Sequence, residues 1–243
     1  MLAGALIGAA SAQSLATDPP PILQILRKPG TSPAPLRQYA DARAEVTAIG
    51  MHAITGNPET WTIEAHYSFA SVEDLDQRLA GAPPARDEAI SPTTTMIGLY
   101  RAAWSFRPAE AVRLLSKARY MIVTIFRIRP GTEAEFGELV RLRRATADAI
   151  NLDRPDLAFQ VMSGASTGMF VFVAPLQTLR TMDDGVNPVP VYAEGVAAAR
   201  QKDGKQIASD IEVSREHYLL RVDPQLSWVE DRFADLDKGF WRR

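Results

Sequence analysis

The chain has 243 residues, of which 46% are hydrophobic and 23% charged, and its formal net charge is -2. This balance supplies a globular core and excludes a global basic field for nucleic acid. Cysteine is absent, which excludes disulfides, thiolate metal sites and a cysteine nucleophile.

The N-terminal stretch "MLAGALIGAASAQSLATDPPP" is apolar and small, then polar and proline-rich. Leu2 to Ala10 fits a signal h-region, and "ASA" before Gln13 has the small-x-small form of a cleavage site. Residues 1–21 therefore read as a leader and linker, and the expected localisation is periplasmic or secreted. No stretch of the chain is apolar for long enough to span a membrane as a helix, so no integral membrane segment is expected in the mature chain.

"ILQILR" reads as a strand closed by the turn "KPGT" at residues 28–31. A helix follows from Ser32 and Pro33 to about Ile49, and then a strand in "IGMHAITG". "WTIEAHYSF" alternates cleanly: Trp61, Ile63, Ala65, Tyr67 and Phe69 share one face, and Thr62, Glu64, His66 and Ser68 the other. A short helix over "SVEDLDQRLAG", a loop at residues 81–95, a strand over residues 96–106 and a helix starting near Pro108 complete the first half.

"RYMIVTIFRI" is apolar on both faces, which predicts cover on both. The turn "RPGT" at residues 129–132 follows, and Thr132 with Glu135 has the spacing of a capping box. The helix it opens directs Phe136, Leu139, Val140 and Ala147 to a core, while Arg141, Arg143 and Arg144 read as a solvated basic patch. "LAFQVMSGA" and "MFVFVAPL" are strands, "LQTLRTMDDG" a short helix, residues 192–213 a helix, and "EHYLLRVDPQLSWV" the last strand region. "MDDG" lacks the acid spacing of a calcium loop, and no GxSxG elbow is present.

The halves repeat one pattern. The two turns are offset by 129 − 28 = 101 residues, and "YSFASVEDL" resembles "VFVAPLQTL" at an offset of 179 − 75 = 104. Each half reads as a βαββαβ, ferredoxin-like unit, residues 22–118 and 119–243.

On "YMIVTIFRIRPGTEAEFGELV", and more weakly on "ILQILRKPGTSPAPLRQYA" with "WTIEAHYSFASVEDL", the chain resembles the dimeric α/β-barrel superfamily with its antibiotic-biosynthesis-monooxygenase-like proteins. The resemblance implies an α+β fold in which two ferredoxin-like units pair their sheets as an intrachain pseudo-dimeric α/β barrel. It carries no catalytic residue over, because no residue-by-residue match to the superfamily's monooxygenase set exists.

Candidate ligand-binding residues are Trp61, Tyr67, Arg101, Trp104, Tyr218, Arg221 and Trp228, which suit a small aromatic or anionic ligand if they face the space between the sheets. Aromatic residues on strands are more often plain core. His66 and His217 are the candidate general bases, and His217 the candidate axial ligand that haem-binding relatives would imply. No cofactor and no metal site is assigned. The expectation is a small-molecule-binding protein, monomer or homodimer, with no nucleic-acid partner. The alternatives are a cofactor-independent monooxygenase-like enzyme acting on a small aromatic substrate, and a structural module whose barrel is filled. If the leader is removed at "ASA", N-terminal sequencing of exported protein will read Gln13 first; a mature chain that keeps Met1 overturns the leader reading.

Overall fold

The computed structural model describes residues 18–30, 46–66, 73, 94–149, 151–185 and 211–242. Residues 1–17, residues 31–45 of the first-half helix, Tyr67, the loop at 81–93 and residues 192–210 of the later helix lie outside the described residues, as does all but residue 73 of the short helix over "SVEDLDQRLAG". The ends of the two longer helices are corrected: Val46–Ile49 belong to a strand, and so do Glu212 and Val213, because each of these strands pairs with a neighbouring one.

The described residues form eight strands: β1 (Ile22–Pro29), β2 (Val46–Ala53), β3 (Glu59–His66), β4 (Thr94–Tyr100), β5 (Tyr120–Ile128), β6 (Leu157–Ser163), β7 (Met169–Leu176) and β8 (Glu212–Val222). They close into a barrel in the order β1-β3-β2-β8-β5-β7-β6-β4, and every neighbouring pair is antiparallel. Replacing each strand by the one four later leaves this order unchanged. The strand expected over residues 96–106 stops at Tyr100, and a single turn at Ala102–Trp104 follows.

The lumen is a packed core. Alternation sends Leu23 and Ile25 of β1, Ile49 and Met51 of β2, Met121, Val123 and Ile125 of β5, and Phe159 of β6 into one apolar cluster. None of these is more than 3% exposed. The void found among them is about 20 Å³, bounded by Leu23, Ile49, Ile63, Phe159 and Val173. That is at most the room of one water. The expected ligand site between the sheets is thus corrected: β-branched and aromatic side chains from both halves interdigitate and fill the space.

Both barrel ends are shut. At one, Arg27 lies between the rings of Trp61 and Tyr218, at 4.4 and 4.9 Å from their centroids. Its Nη2 donates to Glu59 Oε2 at 3.1 Å and to Tyr218 Oη at 3.1 Å. Trp61 Nε1 donates to the same Glu59 oxygen at 2.9 Å. At the other end, helix α1 (Pro108–Leu115) contributes Ala111, Val112 and Leu115. Two short C-terminal helices, at Asp231–Asp235 and Lys238–Trp241, add Phe233 and Trp241 to the same cluster, and Trp241 Nε1 donates to Ser116 O at 2.6 Å.

Helix α2 (Glu133–Ala149) covers the outside of β5 and β7. Phe136 stacks on Phe170 at 4.9 Å and tilts against Phe126 at 5.4 Å. The expected capping box is replaced: Thr132 Oγ1 donates to Arg129 O at 2.7 Å, and Glu133, not Glu135, accepts a bond, from the Gly131 amide at 3.4 Å. The two Pro-Gly turns share their geometry, with φ of 86° at Gly30 and 87° at Gly131, a region that glycine enters without steric cost. Their strands do not keep the odd offset of 101. An odd shift exchanges the faces of a strand, whereas the lumen-facing Leu23 and Ile25 match Val123 and Ile125 at an offset of 100.

Gly50 lets the segment after β8 lie directly on β2. A Cβ there would stand 2.2 Å from Leu226 O, and the Gly50 amide donates to Ser227 Oγ at 2.9 Å. Gly50→Ala is expected to lift this segment and cost about 1–3 kcal/mol, as overpacking of a close contact does; an unchanged midpoint in denaturant would show the contact to be dispensable.

Candidate functional site

Among the described residues, a half-open cavity lies outside the barrel. Its floor is the outer face of three adjacent strands: Ile122, Thr124 and Phe126 of β5, Phe172 and Ala174 of β7, and Arg215 and His217 of β8. Alternation makes this face, since the same strands send their intervening residues into the lumen. The roof is Val140, Arg143, Arg144 and Ala147 of α2, and the wall is Trp104, Phe106, Leu152, Arg154 and Asp156. The cavity measures about 470 Å³. It exists because α2 packs unevenly: its first turns are pinned by Phe136, while its last turns carry arginines and alanine over the sheet.

His217 sits opposite Thr124 in the β5/β8 ladder, and its Nδ1 is 2.9 Å from Thr124 Oγ1. Burial lowers its pKa, and the charges of Arg154 and Arg215 lower it further. At neutral pH the imidazole is therefore uncharged and able to take a proton. Asp156 is joined to Phe106 by a pair of backbone bonds, and its Oδ1 also accepts from the Phe106 amide at 3.1 Å. Burial pushes this carboxyl up to about 7, against the opposing pull of that amide, Arg144 and Arg154.

The arginines differ in how they are held. Arg143 and Arg215 both reach Glu212, at 3.6 and 3.4 Å, and both lie over the Phe126 ring, at 4.7 and 5.9 Å from its centroid. Burial lowers the Arg143 pKa, with Arg215 adding to the effect. Arg144 donates to Ala103 O. The remaining member of the patch, Arg141, is solvated and paired with Glu138 at 2.8 Å, so the single basic patch expected from sequence divides between solvent and cavity.

Of the candidates named from sequence, His217 and Trp104 line this cavity. Trp61 and Tyr218 close a barrel end with Arg27. His66 is 1% exposed, on the opposite face of β3 from Trp61, with Nε2 3.5 Å from Glu64 Oε2. His66 and His217 stand on strands that are not neighbours. Arg101 bonds Gln160 in a more open groove of about 620 Å³ that Trp104 also borders. Arg221 is exposed on β8, and Trp228 exchanges backbone bonds with Ala48 at 2.7 and 2.8 Å. Among the described residues no group of three metal-ligating side chains converges, and a single imidazole at His217 does not by itself define a haem site.

The sequence reading omitted Asp156, Arg154, Arg215 and Phe172. It set Arg143 and Arg144 in solvent. One signal was available: 140, 143, 144 and 147 follow the i, i+3, i+4, i+7 spacing of one helix face, so Val140 and Ala147 place the two arginines between them on the covered stripe.

No protein-family model matches the chain, and no curated protein matches it. Solved structures do. An anthrone oxidase-like protein aligns at a TM-score of 0.54 with 13% identity, over 86% of this chain and 93% of that one. Chlorite dismutase from Candidatus Nitrospira defluvii, in complex with imidazole, aligns at 0.50 with 9% identity, over 91% and 97%. At such identities the likeness is one of fold. The chain shares the α/β-barrel fold of these two structures, in keeping with the resemblance in sequence.

The raised carboxyl has a signed consequence for stability. Between the ordinary aspartate value and about 7, the folded state holds a proton at Asp156 that the unfolded state has released, so stability falls as pH rises through that window. Asp156→Asn keeps an oxygen for the Phe106 amide and removes the titration. It should stabilise the protein above neutral pH, by an amount on the order of 2–3 kcal/mol, and leave it little changed near the ordinary aspartate value; denaturant midpoints across pH will show whether the two curves separate in this direction.

Proposed function

We propose that this protein binds a small molecule between the outer face of β5, β7 and β8 and helix α2. One observation carries the reading: the lumen is filled, yet a half-open cavity of about 470 Å³ stands outside it, apolar in body and set with a few converging polar groups. Ligand sites have this composition. In a protein built only as a scaffold, the last turns of α2 would be expected to pack down as its first turns do. The chain closes its own barrel, which fits two ferredoxin-like units forming a pseudo-dimer within one chain and a site that needs no second copy. The strand order, unchanged by a shift of four, supports that arrangement, and we retain tandem duplication as its proposed origin. Export remains part of the proposal on the strength of the leader's composition. No helix among the described residues is long and apolar enough to cross a membrane.

The second reading, an enzyme needing no cofactor, is favoured by one specific feature. Asp156 and His217 line the same cavity, with a carboxyl raised to about 7 and an imidazole kept neutral. Proton acceptors poised near neutral pH are what acid–base chemistry requires. The step such groups support is removal of a proton from a bound small aromatic substrate. The anthrone oxidase-like fold neighbour is the reason to include anthrones and quinols among the compounds tried.

A thermal-shift panel of aromatic acids, quinols, anthrones and haem tests the binding reading. A ligand at one hundred times its dissociation constant stabilises the folded state by about 2.7 kcal/mol. Ala147→Trp, which fills the cavity from its roof, should abolish the shift while the protein stays folded by circular dichroism. Absence of any shift, or a shift that survives the tryptophan, overturns the location. Oxygen uptake with a quinol, lost in His217→Ala or Asp156→Asn, would establish the enzyme reading; uptake that survives both removes these residues from it.

A further inference from the structure

We infer that the ligand of this cavity is a small organic carboxylate with an apolar body, and that Arg154 is the residue that selects it. The inference rests on the cavity being a binding site and goes on to name the chemistry it takes.

The argument is one of charge and of which charges are already satisfied. Among the described residues, four guanidinium groups line the cavity, and Asp156 is the only carboxylate in the lining. Arg143 and Arg215 are committed to Glu212 and to the Phe126 ring. Arg144 is committed to the carbonyl of Ala103. Arg154 is half-buried, and among the described residues it makes no ion pair and no hydrogen bond. Its charge is nevertheless felt at both polar ends of the site, since it acts on His217 and on Asp156. A partly desolvated guanidinium with unfilled donors is costly unless an acceptor arrives.

The shape of that acceptor follows from the donors that are left. One planar guanidinium fork matches one carboxylate in a two-bond pair. Arg143 and Arg215 share their charge with Glu212, so Arg154 is the guanidinium that stands outside any ion pair or hydrogen bond among the described residues, and one carboxylate charge matches it better than a phosphate dianion does. A dianion would also bring a second negative charge near Asp156. The rest of the lining sets the body of the ligand: Ile122, Phe172 and Ala174 on the floor and Val140 above offer no hydrogen bond, so an apolar ring or short chain fits beside the carboxylate.

The probes are 2-naphthoate and its neutral amide, 2-naphthamide, titrated calorimetrically into the full chain at neutral pH. The naphthoate should bind about ten-fold or more tighter, the difference expected when a charge-assisted pair replaces a neutral contact. In Arg154→Gln this preference should collapse to within about two-fold, with the amide's affinity unchanged. Arg141→Gln, on the solvent side of α2, should keep it. If the amide binds as tightly as the acid, or if Arg154→Gln leaves the preference intact, the inference fails while the cavity remains a binding site. If neither probe binds wild type, the inference and the cavity reading fail together. A loss of both affinities in Arg154→Gln marks a folding role for the arginine and also overturns its assignment as the selecting residue.

Discussion

The structure depends on β5 being apolar on both faces. Met121, Val123 and Ile125 complete the lumen, and Ile122, Phe126 and Ile128 require cover outside it. A strand with one polar face would have left the outside of the sheet to water. Burial of a large apolar side chain is worth roughly 1.5–3 kcal/mol, so each face supplies a driving force of its own. The inner face draws the two halves of the chain together, and the outer face draws α2 down. Sheet neighbours repeat the arrangement: β7 sends Val171 and Val173 inward and Phe170 and Phe172 outward.

The cavity arises from how that second requirement is met. Phe136, Trp104, Phe126 and Phe170 pack as one aromatic group beneath the first half of α2. Toward its C-terminal end the helix presents Arg143, Arg144 and Ala147, which cannot close the gap in the same way. Long cationic side chains can cover apolar surface with their stems while their charged ends find acceptors, and Arg143 and Arg215 do so by sharing Glu212 over the Phe126 ring. The result is a space whose floor is apolar and whose rim is cationic. Burial, helped by the charges of Arg154 and Arg215, keeps His217 neutral, and burial holds the Asp156 proton to an unusually high pH.

Much of the fold could be read in advance because it is written in short-range pattern. Alternation placed Trp61, Ile63 and Ala65 on one face of β3, and the structure puts all three in the lumen cluster. The double apolar face of β5 predicted cover on both sides, and both are covered. The two Pro-Gly turns share the conformation that their glycines allow. The site was less legible. Trp61 and Tyr218 looked like ligand-binding aromatics, but pairing across non-sequential strands set them around Arg27 as a closure. Asp156 and Arg154 lie in an irregular segment with no motif to mark them, and their chemistry depends on Phe106, Arg144 and His217 arriving from distant parts of the chain.

By itself the sequence determined the strands, their faces and the turns between them, because these follow from side-chain alternation and backbone sterics over a few residues. Tertiary structure alone decided that the lumen is full and that the open volume lies outside it. Which side chains meet across a barrel, and how much space they leave, depends on strand order and packing between residues as far apart as Thr124 and His217. No local pattern encodes a volume, and no single residue encodes which of four arginines is left without a partner among the described residues.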